Sequence, residues 1–437
     1  MKPRHRRRRS SRVSDRANFQ TWRNRALAGS VVLSGIGIAA PVSAQEWSAD
    51  DLLGSLQRVI DDSSGAGMRV GSAIVAPTIA VLGGYDSNVF AAPDHEKSDF
   101  YTTLVPSVAV QSDWPRHAFS LKATGEFRQY ATYSRENTNN FSIAGTGRFD
   151  LAPNAYILAG GGYQLLHEDR DALVPIQGVD PTQYTVTSGK AAFVVEPAPM
   201  GLRLDATVDS YAYNDVDLFD GTTVGETARD HIVYALAPRV TYRIQPEYDA
   251  FLGAVVNRRQ YNNTREPDGL NRSSTGGSVR LGTSFDLTQY AFGEFYAGYL
   301  VQNYDAKGAK SINAADFGGK LEWRPIPGTA IRFTLSRSIE ESTLLGSPGY
   351  LQTSLRIAVE HELFDRVLLL GSVGFINADF SGASASSNLY DLKLGVRYLL
   401  SGNLSADLEY DIGHRASNAP LPSYTRQIVE LRLRGQL

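Results

Sequence analysis

From Ile74 to the C-terminus, apolar and polar residues alternate with a period of two, in segments of roughly ten residues. Three segments show it most clearly: Val429, Leu431, Leu433, Gly435 and Leu437 alternate with Glu430, Arg432, Arg434 and Gln436; Phe119, Leu121, Ala123 and Phe127 with Lys122, Thr124, Glu126 and Arg128; and Phe317, Leu321 and Trp323 with Lys320, Glu322 and Arg324. Successive side chains of a strand point to opposite faces, so the pattern predicts strands with one apolar and one polar face. Their length is typical of tilted strands that cross a membrane.

The connections between these segments alternate between short and long. The short ones carry the Pro, Gly, Asn and Asp of tight turns: Leu151 to Asn154, Arg324 to Gly328, Leu363 to Arg366 and Leu400 to Asn403. The long ones are polar: Asp86 to Ser98, His167 to Thr182, Asn214 to Thr227, Asn262 to Leu270 and Ser338 to Pro348. Short periplasmic turns and long extracellular loops are typical of an outer-membrane barrel.

The number of connections predicts the size of the barrel. About nine long loops and eight short turns require about eighteen strands, and bacterial outer-membrane barrels have an even number. A soluble sandwich also alternates but has no reason for the difference in loop length. A propeller blade needs four strands where each repeat of about 40 residues holds two. A TonB-type transporter needs about 22 strands and a plug domain, for which little sequence precedes Ile74. The predicted fold is all-β: a transmembrane, antiparallel, up-and-down β-barrel of about 18 strands.

Composition agrees with a barrel and excludes some other classes. The chain has 40 Gly and 22 Tyr among 437 residues, which suits strands and interfacial aromatic belts. It has no cysteine, so disulfides and thiolate metal sites are excluded. After the first 44 residues, no apolar stretch reaches the ~18 residues of a spanning helix.

Residues 1–44 have the composition of a signal peptide. Met1 to Arg25 is strongly basic, Ala26 to Ala40 is apolar and uncharged, and cleavage is expected near Ala44. The run Arg6 to Arg9 could instead bind nucleic acid, but an apolar segment and a small-residue cleavage site should not follow such a patch. Removing ten basic residues and one acidic residue takes the net charge from -3 to about -12. The acidic mature chain argues against nucleic acid as a partner.

Residues 45–72 separate the signal peptide from the barrel, which is expected over residues 73–437. Ser48 is a plausible helix N-cap, and Leu52, Leu56 and Ile60 follow at helical spacing. The segment is interpreted either as a short helix in the periplasm or barrel mouth, or as a disordered leader.

Strand parity predicts which side chains face the lumen. They are Lys122, Glu126, Arg128, Arg148, Arg203, Asp205, Asp209, Tyr211, Arg280, Glu294, Tyr296, Lys320, Glu322, Arg324, Arg356, Glu360, Lys393, Arg397, Asp407, Glu409, Arg432 and Arg434. Charges of both signs are interleaved. One interpretation is a network of salt bridges that braces a polar wall. The other is a constriction whose charges and tyrosines, such as Tyr211 and Tyr296, guide a hydrated polymer.

The sequence indicates no catalytic, cofactor or metal site. His167, His231 and His414 fall near the bases of predicted loops, but no spacing links any of them to a serine nucleophile or to other metal ligands. The turn Asp86 to Asn88 with Asp94 and Glu96 has the oxygen ligands that calcium takes, although solvated loop acids explain it more simply. We therefore expect a protein that is not an enzyme.

Two segments resemble a known family. Ala76 to Phe90, with its Gly83-Gly84-Tyr85-Asp86-Ser87-Asn88 run, resembles the first hairpin of the putative β-barrel porins of the second type, and Phe127 to Tyr133, leading to Asn137 and Phe141, is similar to that family too. The resemblance covers essentially the whole mature chain. It implies an outer-membrane component associated with exopolysaccharide export. The final Leu437 departs from the aromatic residue that usually ends such a strand.

These observations predict a Gram-negative outer-membrane channel. The resemblance implies a secreted polysaccharide as the cargo and periplasmic export components as partners, and a barrel of this kind implies outer-membrane lipid as a further partner. The alternatives are a general diffusion porin and a non-conducting barrel that serves as a surface scaffold or adhesin through its long loops.

Overall fold

The computed structural model describes residues 67–173, 178–262, 270–287, 290–418 and 421–437. The long strands are β2 (Ala73–Asp86), β3 (Asp99–Ser112), β4 (Ala118–Tyr130), β5 (Thr138–Ala152), β6 (Ala155–His167), β7 (Gln183–Val195), β8 (Met200–Tyr213), β11 (His231–Gln245), β12 (Tyr248–Tyr261), β13 (Ser274–Asp286), β14 (Ala291–Tyr304), β15 (Ile312–Trp323), β16 (Thr329–Glu341), β17 (Gly349–Phe364), β18 (Val367–Phe380), β19 (Ser386–Leu399), β20 (Leu404–Ser417) and β21 (Tyr424–Gln436). The short elements are β1 (Met68–Val70), β9 (Val216–Asp217), β10 (Thr223–Val224) and the 3-10 helices Ser134–Glu136 and Thr227–Arg229. Within these ranges, no helix has the length and apolar character needed to cross a membrane.

The long strands form one closed antiparallel ring. Each pairs with its neighbours in the chain, and the last strand, β21, pairs with the first, β2, from Thr78 opposite Gln436 to Asp86 opposite Ile428. Closure removes the unpaired edges that an open sheet would expose. The predicted antiparallel barrel of about 18 strands is thereby confirmed.

The two faces of the wall differ as the alternation predicts. Large apolar side chains lie on the outer face and are exposed: Leu281 and Phe100 are each 65% accessible and Leu431 is 55% accessible. Their neighbours along each strand point inward and are mostly polar, such as Arg280 beside Leu281 and Arg432 beside Leu431. An apolar outer belt around a polar lumen is the arrangement that a lipid environment stabilises.

Connections at one end of the barrel are two to five residues long, as in 153–154 and 365–366, and those at the other end, called here the outer end, are longer. The outer connections are 87–98, 131–137, 168–182, 214–230, 262–273, 305–311, 342–348, 381–385 and 418–423. Five of them have only five to seven residues, shorter than the sequence suggests. For example, β16 runs on to Glu341, because residues from Ser338 keep pairing with β17, so the loop expected from Ser338 begins only at residue 342.

Residues 67–72 form a small extension of the barrel. Strand β1 pairs with the start of β2, with Met68 opposite Val75. The signal peptide, its cleavage near Ala44 and the possible helix after Ser48 lie outside the described residues and stay predictions.

Candidate channel constriction

The predicted pore-lining side chains share the inner face of the wall. They are Lys122, Glu126 and Arg128 on β4; Arg148 on β5; Arg203, Asp205, Asp209 and Tyr211 on β8; Arg280 on β13; Glu294 and Tyr296 on β14; Lys320 and Glu322 on β15, with Arg324 directly after it; Arg356 and Glu360 on β17; Lys393 and Arg397 on β19; Asp407 and Glu409 on β20; and Arg432 and Arg434 on β21. Cross-strand pairing keeps them on one face, as where Arg397 lies opposite Asp407. Contact between these residues and a cargo stays a prediction.

Most of these charged groups have an opposite charge beside them. The ion pairs include Arg203–Asp205 (2.6 Å), Arg239–Glu294 (2.7 Å), Arg280–Asp316 (2.5 Å), Arg324–Glu322 (2.5 Å), Arg332–Glu360 (3.3 Å), Arg356–Asp391 (3.1 Å), Lys393–Asp411 (2.7 Å) and Arg397–Asp407 (2.7 Å). Paired charges brace the wall and satisfy groups that would be costly to leave alone. They also give the lumen a lining of hydrogen-bond donors and acceptors in which opposite charges lie side by side.

The inward tyrosines are packed against neighbours on the wall. The Tyr211 ring is 5% exposed and stacks on His231 with centroids 4.5 Å apart, and His231 stacks in turn on Tyr261 at 4.9 Å. The guanidinium of Arg280 lies over the Tyr296 ring, 4.6 Å from its centroid. Tyr211 therefore stabilises the wall and offers little surface on which a sugar ring could stack, whereas Tyr296 is only partly buried.

The connection 168–182 is called here the crossing loop, and its described residues 168–173 reach across the lumen at the outer end. It joins β6 to β7, yet Leu173 is buried against Tyr350 on β17 and Phe380 on β18. Strands β6 and β17 are nine positions apart in a ring of eighteen, so these contacts reach the opposite wall. Leu344 and Leu421, from two other outer connections, pack against the same cluster, called here the outer cap. Several loops therefore meet inside the outer mouth and narrow it.

Polar contacts join two consecutive residues of the crossing loop, Arg170 and Asp171, to different parts of the barrel. Arg170 donates to both carboxylate oxygens of Glu136, over 2.7 and 2.9 Å, and both side chains are buried. On β20 and β21, Arg415 Nη2 and the Tyr424 hydroxyl donate to the Asp171 carbonyl over 2.8 and 3.2 Å. Charge-assisted bonds of this kind are among the stronger hydrogen bonds in proteins, so the crossing position of the loop is well determined.

Two loop acids, Asp169 and Asp171, lie near basic side chains of the wall. The Asp171 carboxylate lies 3.1 Å from Arg426 Nη1, and Arg426 also binds Asp86 through Nη2 at 2.6 Å. Burial, and then the neighbouring Asp171, raise the pKa of Asp169 from 3.8 to about 7. Arg128 and Arg426 lower that pKa in part, and Glu126 raises it. The loop therefore carries a carboxyl group that titrates near neutral pH.

A polar pocket, called here the chamber, lies below the crossing loop and opens into the lumen. Its wall includes Asp171, Arg356, Leu389, Asp391, Lys393, Asp411, Gly413, Tyr424 and Arg426. Each of its three cations is within ion-pair distance of a carboxylate on the same wall.

The histidines that could have formed other sites have other partners. His167 Nδ1 lies 2.9 Å from the Asn140 amide oxygen, and His414 Nδ1 lies 3.0 Å from the Thr425 hydroxyl. His231 is held between two tyrosine rings. The described residues contain no group of three or more acidic, histidine or cysteine side chains placed to hold a metal ion.

Asp86, at the start of the possible calcium turn, has a structural role. Its carboxylate accepts hydrogen bonds from Arg426 and from the backbone N–H of Asn88, at 2.9 Å for the latter. The side chain has no exposed surface. These bonds join β21 to the first outer connection.

Sequence interpretation missed the residues that hold the constriction. Arg415 and Arg426 continue the inward parity of β20 and β21 by further two-residue steps, so the alternation contains the signal that finds them. Glu136, Arg170 and Asp171 lie in connections with no repeating pattern. Nothing in their local sequence distinguishes an inward loop from a solvated one.

Comparisons with known proteins give a family-level match. The model of the family described as putative beta-barrel porin 2 matches residues 63–437. A search of curated proteins finds no match. The siderophore receptor PirA of Pseudomonas aeruginosa is 9% identical, with a TM-score of 0.45 and coverage of 83% of this chain and 80% of that one. OpdK of Pseudomonas aeruginosa, crystallised with vanillate, and a BenF-like porin of Pseudomonas fluorescens Pf-5 are each 10% identical, with TM-scores of 0.45 and coverage of 83% and 99%.

Proposed function

Because the chain belongs to the putative beta-barrel porin 2 family, and is thus a porin-like outer-membrane channel, we propose that it conducts a secreted exopolysaccharide across the outer membrane. The observation that carries the proposal is the charge-paired lining of the lumen and chamber. Paired guanidinium and carboxylate groups keep hydrogen-bonding capacity without a strong field of one sign. Such a lining suits hydroxyl-rich, weakly charged chains, which exchange many weak hydrogen bonds as they pass.

The proposal assigns partners on both sides of the membrane. Outer-membrane lipid surrounds the apolar outer belt, and periplasmic export components would deliver the polymer to the turn end of the barrel. Since the crossing loop narrows the outer mouth, passage of a polymer requires that loop and the outer cap to move aside.

The crossing loop also favours a second candidate, a general diffusion porin. A narrow, polar constriction passes small hydrated solutes without any loop movement, whereas a polymer needs displacement of the outer cap. The two candidates therefore differ in the size of the cargo. They also differ in the defect expected when the protein is lost. Loss of an exporter should reduce surface polysaccharide, whereas loss of a diffusion porin should reduce the uptake of small solutes.

Two glycines allow a matched test of passage through the chamber. Gly413 lines the chamber and Gly83 lies on the outer face opposite Leu431, and each has open space where a Cβ would stand. Gly413→Trp should fill the chamber, and Gly83→Trp should add an indole to the outer belt without touching the lumen. Both variants should fold, which heat-modifiable gel mobility checks.

The export assay uses a deletion strain complemented with each variant, and the readout is surface polysaccharide. We expect the wild-type chain and Gly83→Trp to restore the polysaccharide, and Gly413→Trp to fail. Unchanged polysaccharide in the deletion strain, with slower uptake of small solutes, would sink the export proposal and leave the diffusion porin. Silence of the wild-type chain in planar bilayers, together with unchanged polysaccharide, would favour the scaffold.

A further inference from the structure

The hydrogen-bonded ladder between β15 and β16 ends half-way up the barrel. It runs only from Trp323 opposite Ile331 to Gly319 opposite Leu335. Both strands keep their other ladders to the outer end, where β15 still pairs with β14 and β16 still pairs with β17. Residues 336–351, called here the flap, are the outer part of the β16–β17 hairpin, and their β16 side separates from β15.

The flap leans into the lumen. Ile339 is 7% exposed and packs in one cluster with Leu300 and Ile312, whose side chains face inward from β14 and β15. Ile339 and Leu351 are cross-strand partners, and the alternation of their strands assigns both to the outer face. An apolar pair that belongs to the outside of the barrel is therefore buried against the inside of the neighbouring wall.

Polar groups several strands away hold the inward position. Arg259 Nη2 on β12 donates to the Ile339 carbonyl over 2.6 Å, and Arg272 Nε donates to the Ser342 carbonyl over 2.9 Å. Glu341 accepts a hydrogen bond from the Tyr261 hydroxyl. These contacts join the flap to the β11–β13 side of the barrel, so the flap reduces the open cross-section next to the outer cap.

A second arrangement of the flap is built into the same sequence. Continuing the register beyond Gly319 and Leu335 would place Arg337 opposite Phe317 and Ile339 opposite Ala315. Arg337 already bridges the seam, because its guanidinium lies 5.1 Å from the Phe317 ring centroid and donates to the Ala315 carbonyl over 3.2 Å. In a continued ladder, Ile339 and Leu351 would return to the outer face that their parity assigns.

We propose that the flap is a gate that opens when the β15–β16 ladder extends to the outer end. The closed state gains the contacts of Arg259, Arg272 and Tyr261 and the apolar packing of Ile339. The open state gains backbone hydrogen bonds along two strand edges that lack them. The closed state thus satisfies side-chain donors of the wall, and the open state satisfies backbone groups of β15 and β16. Because each state leaves the other set of groups to solvent, both conformations can be populated. Only the effect of the gate on conduction rests on the proposed function.

Cysteine cross-linking tests the gate directly, because the chain has no native cysteine. Ala315→Cys with Ile339→Cys should form a disulfide only when the ladder extends, since cross-strand pairs bring Cβ atoms within bonding range. Leu321→Cys with Phe333→Cys, an existing ladder pair on the outer face, is the positive control. We expect both pairs to cross-link under oxidation in outer-membrane vesicles, the test pair more slowly. Cross-linking of the control alone overturns the gate.

The neighbouring residues Arg259 and Arg258 provide a matched pair of variants that tests how far the Arg259 contact stabilises the closed flap. Arg259→Met removes a flap contact and should raise the rate of cross-linking of the test pair about tenfold, since a hydrogen bond to a charged group is lost. Arg258→Met, on the outer face and paired with Asp305, should leave that rate unchanged. Equal cross-linking rates in Arg259→Met and Arg258→Met would show that the Arg259 contact does not hold the flap closed.

In planar bilayers, oxidation of the test pair should raise the conductance of the channel, and reduction should restore the original conductance. If the test pair cross-links in a barrel that never conducts, the gate stands and the channel proposal fails.

Discussion

The buried ion pair of Glu136 and Arg170 should decide whether the crossing loop stays in place. Glu136→Gln removes the negative charge but keeps the size of the side chain. The exposed fractions of the two side chains are 3% and 5%, so the remaining guanidinium would be left without its counter-charge in a buried site. Breaking a buried pair in this way costs about 3–5 kcal/mol. The substitution should therefore destabilise the closed position of the loop and not the barrel, because neither residue takes part in a barrel ladder.

That cost translates into a large change in how often the loop opens. Since about 1.4 kcal/mol is a factor of ten, even the lower figure raises the open fraction about a hundredfold. The assay is the rate at which a water-soluble maleimide labels Ala172→Cys, the sole thiol in the chain. A rate proportional to the open fraction should rise by about the same factor in the Glu136→Gln background.

Two controls separate the ion pair from general damage to the protein. Asp305→Asn breaks an exposed pair with Arg258 that is worth about 0.2–1 kcal/mol, so it should change the labelling rate little. Glu136→Met with Arg170→Met removes both charges and should bring the rate back close to the parent value. A rate for Glu136→Gln equal to that for Asp305→Asn would refute the anchoring role.

The same structure supports three further predictions. Asp169 binds its proton more tightly in the closed loop, where its pKa is about 7, than in the open loop, where its pKa is the ordinary 3.8. The closed position of the loop should therefore lose stability as the pH rises from about 4 to about 7. The labelling rate of Ala172→Cys, normalised to that of an exposed loop thiol, should rise over that range, and Asp169→Asn should remove the rise. Leu281→Arg on the outer face should destabilise the barrel by about 2–4 kcal/mol in lipid, as measured by urea unfolding, whereas Ser284→Arg in the lumen should cost much less. Leu173→Ala should loosen the outer cap by about 2–5 kcal/mol, seen as faster proteolysis of the loop with no change in barrel melting.

The fold could be predicted from the sequence because the alternation within each strand shows which of its faces points to the lipid and which to the lumen. In the last strand, Leu431 and Leu433 alternate with Glu430 and Arg432, and a lipid exterior and a polar lumen impose that alternation on every strand. Turn residues such as those at 153–154 then mark where one strand ends and the next begins. These signals are local, so their sum gives the strand number without knowledge of any tertiary contact.

The constriction depends on contacts that no local pattern encodes. Leu173 meets Phe380 across the lumen, and the two residues are far apart in the sequence and in the ring. The flap shows the same limit, because the alternation assigns Ile339 to the outside whereas tertiary packing places it inside. Strand parity gives the face of a residue in its own strand, but it does not give the path of the strand relative to its neighbours.

The inward position of the loops follows from the lumen that eighteen strands create. A ring of this size is too wide for wall side chains to fill, so inner polar groups must find partners in water, in each other or in loops. Toward the turn end, pairs such as Arg397 and Asp407 satisfy each other. Near the outer end, Arg259 and Arg415 instead donate to the carbonyls of Ile339 and Asp171, which belong to the flap and the crossing loop. Loops and lining are therefore one structure, and any change that opens the mouth must give these arginines water in place of the carbonyls they lose.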